Sequence, residues 1–121
     1  MGGLAGSKVL VVEDEFVTAV DYQVLLWSLG CEVLGPAASA AEALVLLRHQ
    51  RPDAALLDVR LRDGRVTPVA EALRAAGVPF VVVSACGPAD LPEPALGGAP
   101  RLAKPCDHGT LGAAVAGMLA G

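Results

Sequence analysis

Two kinds of apolar pattern alternate along this chain. Unbroken aliphatic runs occupy residues 9–12 (VLVV), 54–57 (AALL) and 78–83 (VPFVVV), with shorter counterparts at 32–34 and 101–104. A strand with one wet face alternates apolar and polar side chains, whereas a run without alternation belongs to a strand covered on both sides. Between the runs, apolar residues recur at helical spacing. Val17, Val20, Val24 and Trp27 are separated by three, four and three positions and form one apolar face, with Gly30 following as a stop. Ser39-Ala40-Ala41-Glu42 has the form of a capping box and opens a helix through Leu44 and Leu47. Thr67 as N-cap and Pro68 at the first helical position start a third helix, through Val69 and Leu73 to a stop at Gly77. Asp107 caps a last helix bearing Leu111, Val115 and Met118, weakened by Gly109, Gly112 and Gly117.

Five short strands alternating with helices predict an α/β fold, a doubly wound five-stranded parallel sheet. In such sheets the functional crevice lies beyond the carboxyl ends of the strands, so the residues that terminate strands carry the chemistry. Glu13 and Asp14 end the first strand, Asp58 the third, Ser84 the fourth and Lys104 the fifth. Folding then gathers three acids, a hydroxyl and an ammonium on one rim. Clustered carboxylates repel unless something positive lies between them. A hard dication such as Mg²⁺ fits, because it binds one or two carboxylates and leaves room for phosphate oxygens. Lys104 adds a second positive charge aimed at an incoming anion. The chemistry that uses this set is phosphoryl transfer to a carboxylate. Asp58 ends the central buried strand, apart from the acid pair, and is the candidate nucleophile. The cation and Lys104 would stabilise the equatorial oxygens, and Ser84 would donate a hydrogen bond to one of them.

Composition narrows the picture further. The 121 residues make one domain, residues 8–121, after a Gly-rich and flexible segment 1–7. Hydrophobic residues are 54% but aromatics only 3%, so the core is aliphatic. A net charge of −4 argues against a nucleic-acid or anionic-membrane surface. Neither a bilayer-length apolar stretch nor a basic leader is evident, and a cytoplasmic location is expected. Cys31, Cys86 and Cys106 show no CxxC spacing and read as reduced, buried thiols. His49 and His108 read as surface residues, Glu15 as a first-turn acid favoured by the helix dipole, and Trp27 as core or interface packing. Arg60, Arg62 and Arg65 read as a solvated loop face.

The segments KVLVVEDE, PDAALLDV and GVPFVVVSA, followed by Lys104-Pro105, resemble in that order a response-regulator receiver domain. This is the CheY-like module of two-component signalling, and the resemblance extends over essentially the whole chain from Lys8. It implies the flavodoxin-like strand order 2-1-3-4-5. It also implies Asp58 as phosphoacceptor, Asp14 as a direct Mg²⁺ ligand, Glu13 acting through a metal-bound water, and the Arg60 backbone carbonyl as another ligand. Ser84 would be the switch hydroxyl and Lys104 the phosphate-binding lysine. The implied partners are a sensor histidine kinase and a downstream protein target or fused output domain, with no direct nucleic-acid contact and no membrane. Oligomeric state is left open. Such a domain is a signalling phosphoacceptor rather than an enzyme, catalysing at most its own phosphorylation and dephosphorylation.

Four departures from the family pattern matter. Glu13 replaces the more usual aspartate, and Arg101 stands where the family places an aromatic. Pro88, Pro92, Pro94 and Pro100 predict that the helix between the fourth and fifth strands is short or absent. Leu61-Arg62-Asp63-Gly64 replaces the usual proline-containing loop. The last three together resemble the single-domain receivers paired with HWE-type histidine kinases. Arg101 and the proline-broken helix also motivate an alternative, a degenerate receiver serving as a phosphorylation-independent docking or dimerisation module. A flavin binder is disfavoured because three acids after the first strand oppose a phosphate-cradling loop. A haloacid-dehalogenase-type phosphatase would want an aspartate where Arg60 stands.

Overall fold

The computed structural model describes residues 6–58, 60–61, 64–84, 101–103 and 107–120. In chain order the elements are β1 (Lys8–Val12), α1 (Phe16–Ser28), β2 (Glu32–Ala37), α2 (Ala40–His49) and β3 (Ala54–Asp58). There follow β4 (Arg60–Leu61), β5 (Gly64–Arg65), α3 (Thr67–Ala75), β6 (Phe80–Ser84), β7 (Arg101–Ala103) and α4 (His108–Ala120). Four parallel strands run β2-β1-β3-β6, and β7 pairs parallel with the far side of β6. The non-alternating runs have the predicted cause. Leu10, Val12, Ala55, Leu57 and Val82 face one layer containing α2 and α3, while Val9, Val11, Leu56, Val81 and Val83 face the other, containing α1 and α4. The stretch expected to hold a short helix or none, residues 85–100, lies outside the described residues, as do Lys104 and Cys106.

The caps follow the sequence closely. Ser39 Oγ accepts from the Glu42 amide at 3.1 Å, and Asp107 Oδ1 accepts from the Thr110 amide at 2.7 Å. That backbone hydrogen bond holds the Asp107 carboxyl below its ordinary pKa. Gly30 and Gly77 follow α1 and α3 as expected. In α3, however, Thr67 is the first helical residue and Val66 takes the cap position. Val66 is fully buried, so core packing rather than a side-chain hydrogen bond sets where that helix begins.

Two expectations are corrected. The stripe of Val17, Val20, Val24 and Trp27 does not face the core: Val17 is 73% exposed and Trp27 59%, and Phe16 beside them is 79% exposed. The face that α1 buries is Ala19, Tyr22, Leu25 and Leu26, packed against Leu111 and Val115 of α4. The helix is apolar nearly all round, so periodicity alone could not choose between two stripes. Second, within the segment read as a loop, Arg60–Leu61 pairs antiparallel with Gly64–Arg65, Arg60 opposite Arg65 and Leu61 opposite Gly64. Leu61 is buried in the core.

β2 carries the irregularity that positions the site. Leu10 pairs with Leu34 but Val12 pairs with Ala37, so β2 holds one residue more than β1 across that step. Gly35 takes up the slack at φ +96°, where a Cβ would lie 2.7 Å from the Ala37 nitrogen and 3.1 Å from the Val11 oxygen. Both contacts are backbone and cannot give way cheaply. Gly35→Ala is therefore expected to destabilise the fold by about 2 kcal/mol or more, read as a lower urea midpoint at unchanged slope.

Candidate functional site

β1 and β3 are adjacent, parallel and in register, with Val12 opposite Leu57. The next residues in each chain direction are Glu13-Asp14 and Asp58, so the register alone brings these acids side by side. One carboxylate oxygen from each of Glu13, Asp14 and Asp58 lies within 4.8 Å of the others. Asp14 and Asp58 are half-buried, whereas Glu13 is only 2% exposed. Its backbone amide donates to the Ala37 carbonyl at 2.9 Å, which is where the β2 irregularity acts on the site. Its side chain curls back so that Oε2 accepts from the Glu15 amide at 3.1 Å. Glu15 is the N-cap residue of α1, so Glu13 also lies at the positive end of a helix.

The magnitudes say what this cluster is suited to hold. At an effective dielectric of about 20, two carboxylates this close repel by roughly 3 kcal/mol or more. A helix N-terminus returns about 0.3–1 kcal/mol. A bridging dication changes the sign of the interaction. Mg²⁺ takes oxygen ligands at about 2.0–2.1 Å, so opposed ligands stand about 4 Å apart. The observed oxygen spacing fits one such ion, bound directly or with a water between it and one carboxylate.

Of the other predicted residues, Ser84 and Arg60 have described backbone positions near the ends of these strands. Ser84 ends β6 opposite Ala103, one position beyond Val83, which stands opposite Asp58. Arg60 begins β4 just past the end of β3. Lys104 follows β7 and lies outside the described residues. Sequence reasoning missed the supporting groups: the Ala37 carbonyl, the Glu15 amide and the buried Leu61. It also missed the bond between His108 Nε2 and Asp21 Oδ1, 2.9 Å, which ties the start of α4 to α1. Those two residues are 87 positions apart, and no local pattern marks such a pair.

No family model matches the chain. It is 30% identical over 120 residues to the phyllosphere-induced regulator PhyR of Methylorubrum extorquens, covering 93% of this chain and 43% of that protein. The chain spans less than half the length of the curated relatives it matches. Its fold superimposes on SdrG from Sphingomonas melonis Fr1 with a TM-score of 0.80 at 36% identity, covering 94% of this chain and 97% of the other. The receiver domain of the sensor histidine kinase PA1611 from Pseudomonas aeruginosa PAO1 superimposes with a TM-score of 0.85 at 28% identity, covering 97% and 100%. That structure has a magnesium ion coordinated in its active site cleft.

Repulsion within the acid cluster has a measurable signature. Without divalent cations, Asp14→Asn is expected to raise the melting temperature, because it removes one of the clustered charges. Added Mg²⁺ should raise that of the wild type and do so less for the variant; thermal melts with and without the cation read both effects.

Proposed function

The chain belongs to the response-regulator receiver family, and from that premise we propose that it is a Mg²⁺-dependent phosphoacceptor whose Asp58 takes a phosphoryl group from a histidine of a sensor kinase. The observation that carries this reading is the convergence of Glu13, Asp14 and Asp58 oxygens at adjacent strand ends. An Asp58 oxygen attacks phosphorus and forms the new P–O bond as the P–N bond to the donor imidazole breaks; the departing nitrogen keeps the electron pair. Bound Mg²⁺ supplies positive charge against the acids and the phosphoryl oxygens. Asp14 is the proposed direct ligand, with Glu13 reaching the ion through water and the Arg60 carbonyl completing the protein's share. Lys104 pairs with a phosphoryl oxygen, and Ser84 donates to another and couples phosphorylation to the sheet edge. With Arg101 in place of the usual aromatic, that coupling does not run through an inward-turning ring. The unit is residues 8–121 in the cytoplasm, of the type served by HWE-type kinases, with a downstream protein target or a fused output domain.

The experiment that tests this is direct. Acetyl phosphate or beryllofluoride with Mg²⁺ should modify or bind the wild type and leave Asp58→Ala untouched, by intact mass and backbone NMR shifts. Equal modification of that variant removes Asp58 from the role.

A protein donor is favoured by α1. The exposed stripe begins at Phe16 and Val17, one residue past Glu13 and Asp14, so a protein covering it sits at the edge of the acid cluster. Contiguous exposed apolar side chains mark protein interaction sites. We therefore assign the stripe to the phosphodonor kinase. Replacing Val20 and Val24 together by serine should slow transfer from the kinase about tenfold or more, an interface loss of about 1.4 kcal/mol. Modification by acetyl phosphate should stay as in the wild type. A phosphorylation-independent docking module is the second reading, favoured by the same stripe; partner affinity that is equal with and without beryllofluoride would select it.

A further inference from the structure

We infer that Leu61 is a positioning residue for the cation site: buried in the core, it pegs the hairpin that leaves Asp58 and so holds the Asp58 carboxylate against Glu13 and Asp14. The inference rests on the proposed cation site and adds a residue that the family resemblance does not mark.

Asp58 stands between two anchors. Leu57 before it is fully buried and Leu61 after it is 7% exposed, and both belong to the cluster that also contains Val12, Val66 and Val69. Val12 immediately precedes Glu13 in the chain. One patch of core, Val12 with Leu57 and Leu61, thus underlies both halves of the acid cluster. The hairpin cannot supply this rigidity by itself, because it consists of two residue pairs, Arg60 with Arg65 and Leu61 with Gly64. A hairpin that short is marginal without packing. Leu61 at one end and the fully buried Val66 just past the other clamp it to the core. A metal site tolerates displacement of about 0.5 Å in its ligands. A truncated side chain at position 61 removes the core anchor on the chain that leaves Asp58, and the sheet then holds Asp58 from one side.

The competing view is that Leu61 is ordinary core, contributing stability and nothing else. Leu73 provides the comparison. It is fully buried in the same cluster, but twelve residues after Leu61 and seven after Val66, near the end of α3. That is about 10 Å away from Val66 along the helix, toward the opposite end of the sheet from the acids. Leu61→Ala and Leu73→Ala should both lower the urea midpoint. In a Mg²⁺ titration followed by backbone NMR, Leu61→Ala should bind about tenfold more weakly, as expected when a group supporting a metal ligand is lost. Leu73→Ala should bind as the wild type does, and Leu61→Met should recover most of the affinity. If Leu61→Ala does not fold, Leu61→Val against Leu73→Val makes the same comparison. Equal Mg²⁺ affinity in the two alanine variants overturns the inference. A wild type that shows no saturable Mg²⁺ shift overturns the cation site itself, a separate failure visible before any variant is made.

Discussion

Everything in the site depends on the parallel register between β1 and β3. Val12 opposite Leu57 puts the residues that follow, acids on both strands, on the same side of the same gap. The arrangement is electrostatically unfavourable and is held by burial. Each fully buried aliphatic side chain is worth about 1.5–3 kcal/mol relative to exposure, comparable with the repulsion of one carboxylate pair. Val9, Leu10, Val11 and Val12 are all fully buried, as are Ala54, Ala55 and Leu57, so neither strand can slide to relieve the charges. The core holds the acids where a cation and a phosphoryl group are then favourable.

Small irregularities around the sheet refine this placement. The extra residue in β2 brings the Ala37 carbonyl to the Glu13 amide, and the Glu15 amide at the start of α1 meets the Glu13 carboxylate. The hairpin after β3 is clamped by Leu61 and Val66. The Glu15 amide acts on a carboxylate directly, and the other devices act on the backbone next to one, so the fold controls the distances between the acids. α1 joins this arrangement to an exposed apolar surface, because the helix whose amide end faces Glu13 also carries the stripe from Phe16 to Trp27.

Much of this was legible in the chain alone. Runs such as VLVV and AALL are apolar without alternation, which only a doubly covered strand explains, and they led to the acids at their ends. Ser39 and Asp107 were legible as caps because a cap is a local hydrogen bond, satisfied within three residues. The limits appear where two local solutions are equally good. Phe16 to Ser28 offers apolar residues on every side, so helical spacing found the helix but not its buried face. Leu61-Arg62-Asp63-Gly64 carries a turn signal, and only the core beneath it made Leu61 an anchor.

The sequence by itself determined the alternation of the main strands with helices and the acids that follow the first and third, because those follow from short-range periodicity and turn chemistry. Tertiary structure alone decided which face of α1 meets Leu111 and Val115, that β2 gains a residue against β1, and that His108 reaches Asp21. It also decided that three carboxylates close to within 4.8 Å. Distances between residues far apart in the chain are set by how side-chain volumes fill the space between layers, and volume is filled only once all the layers are present.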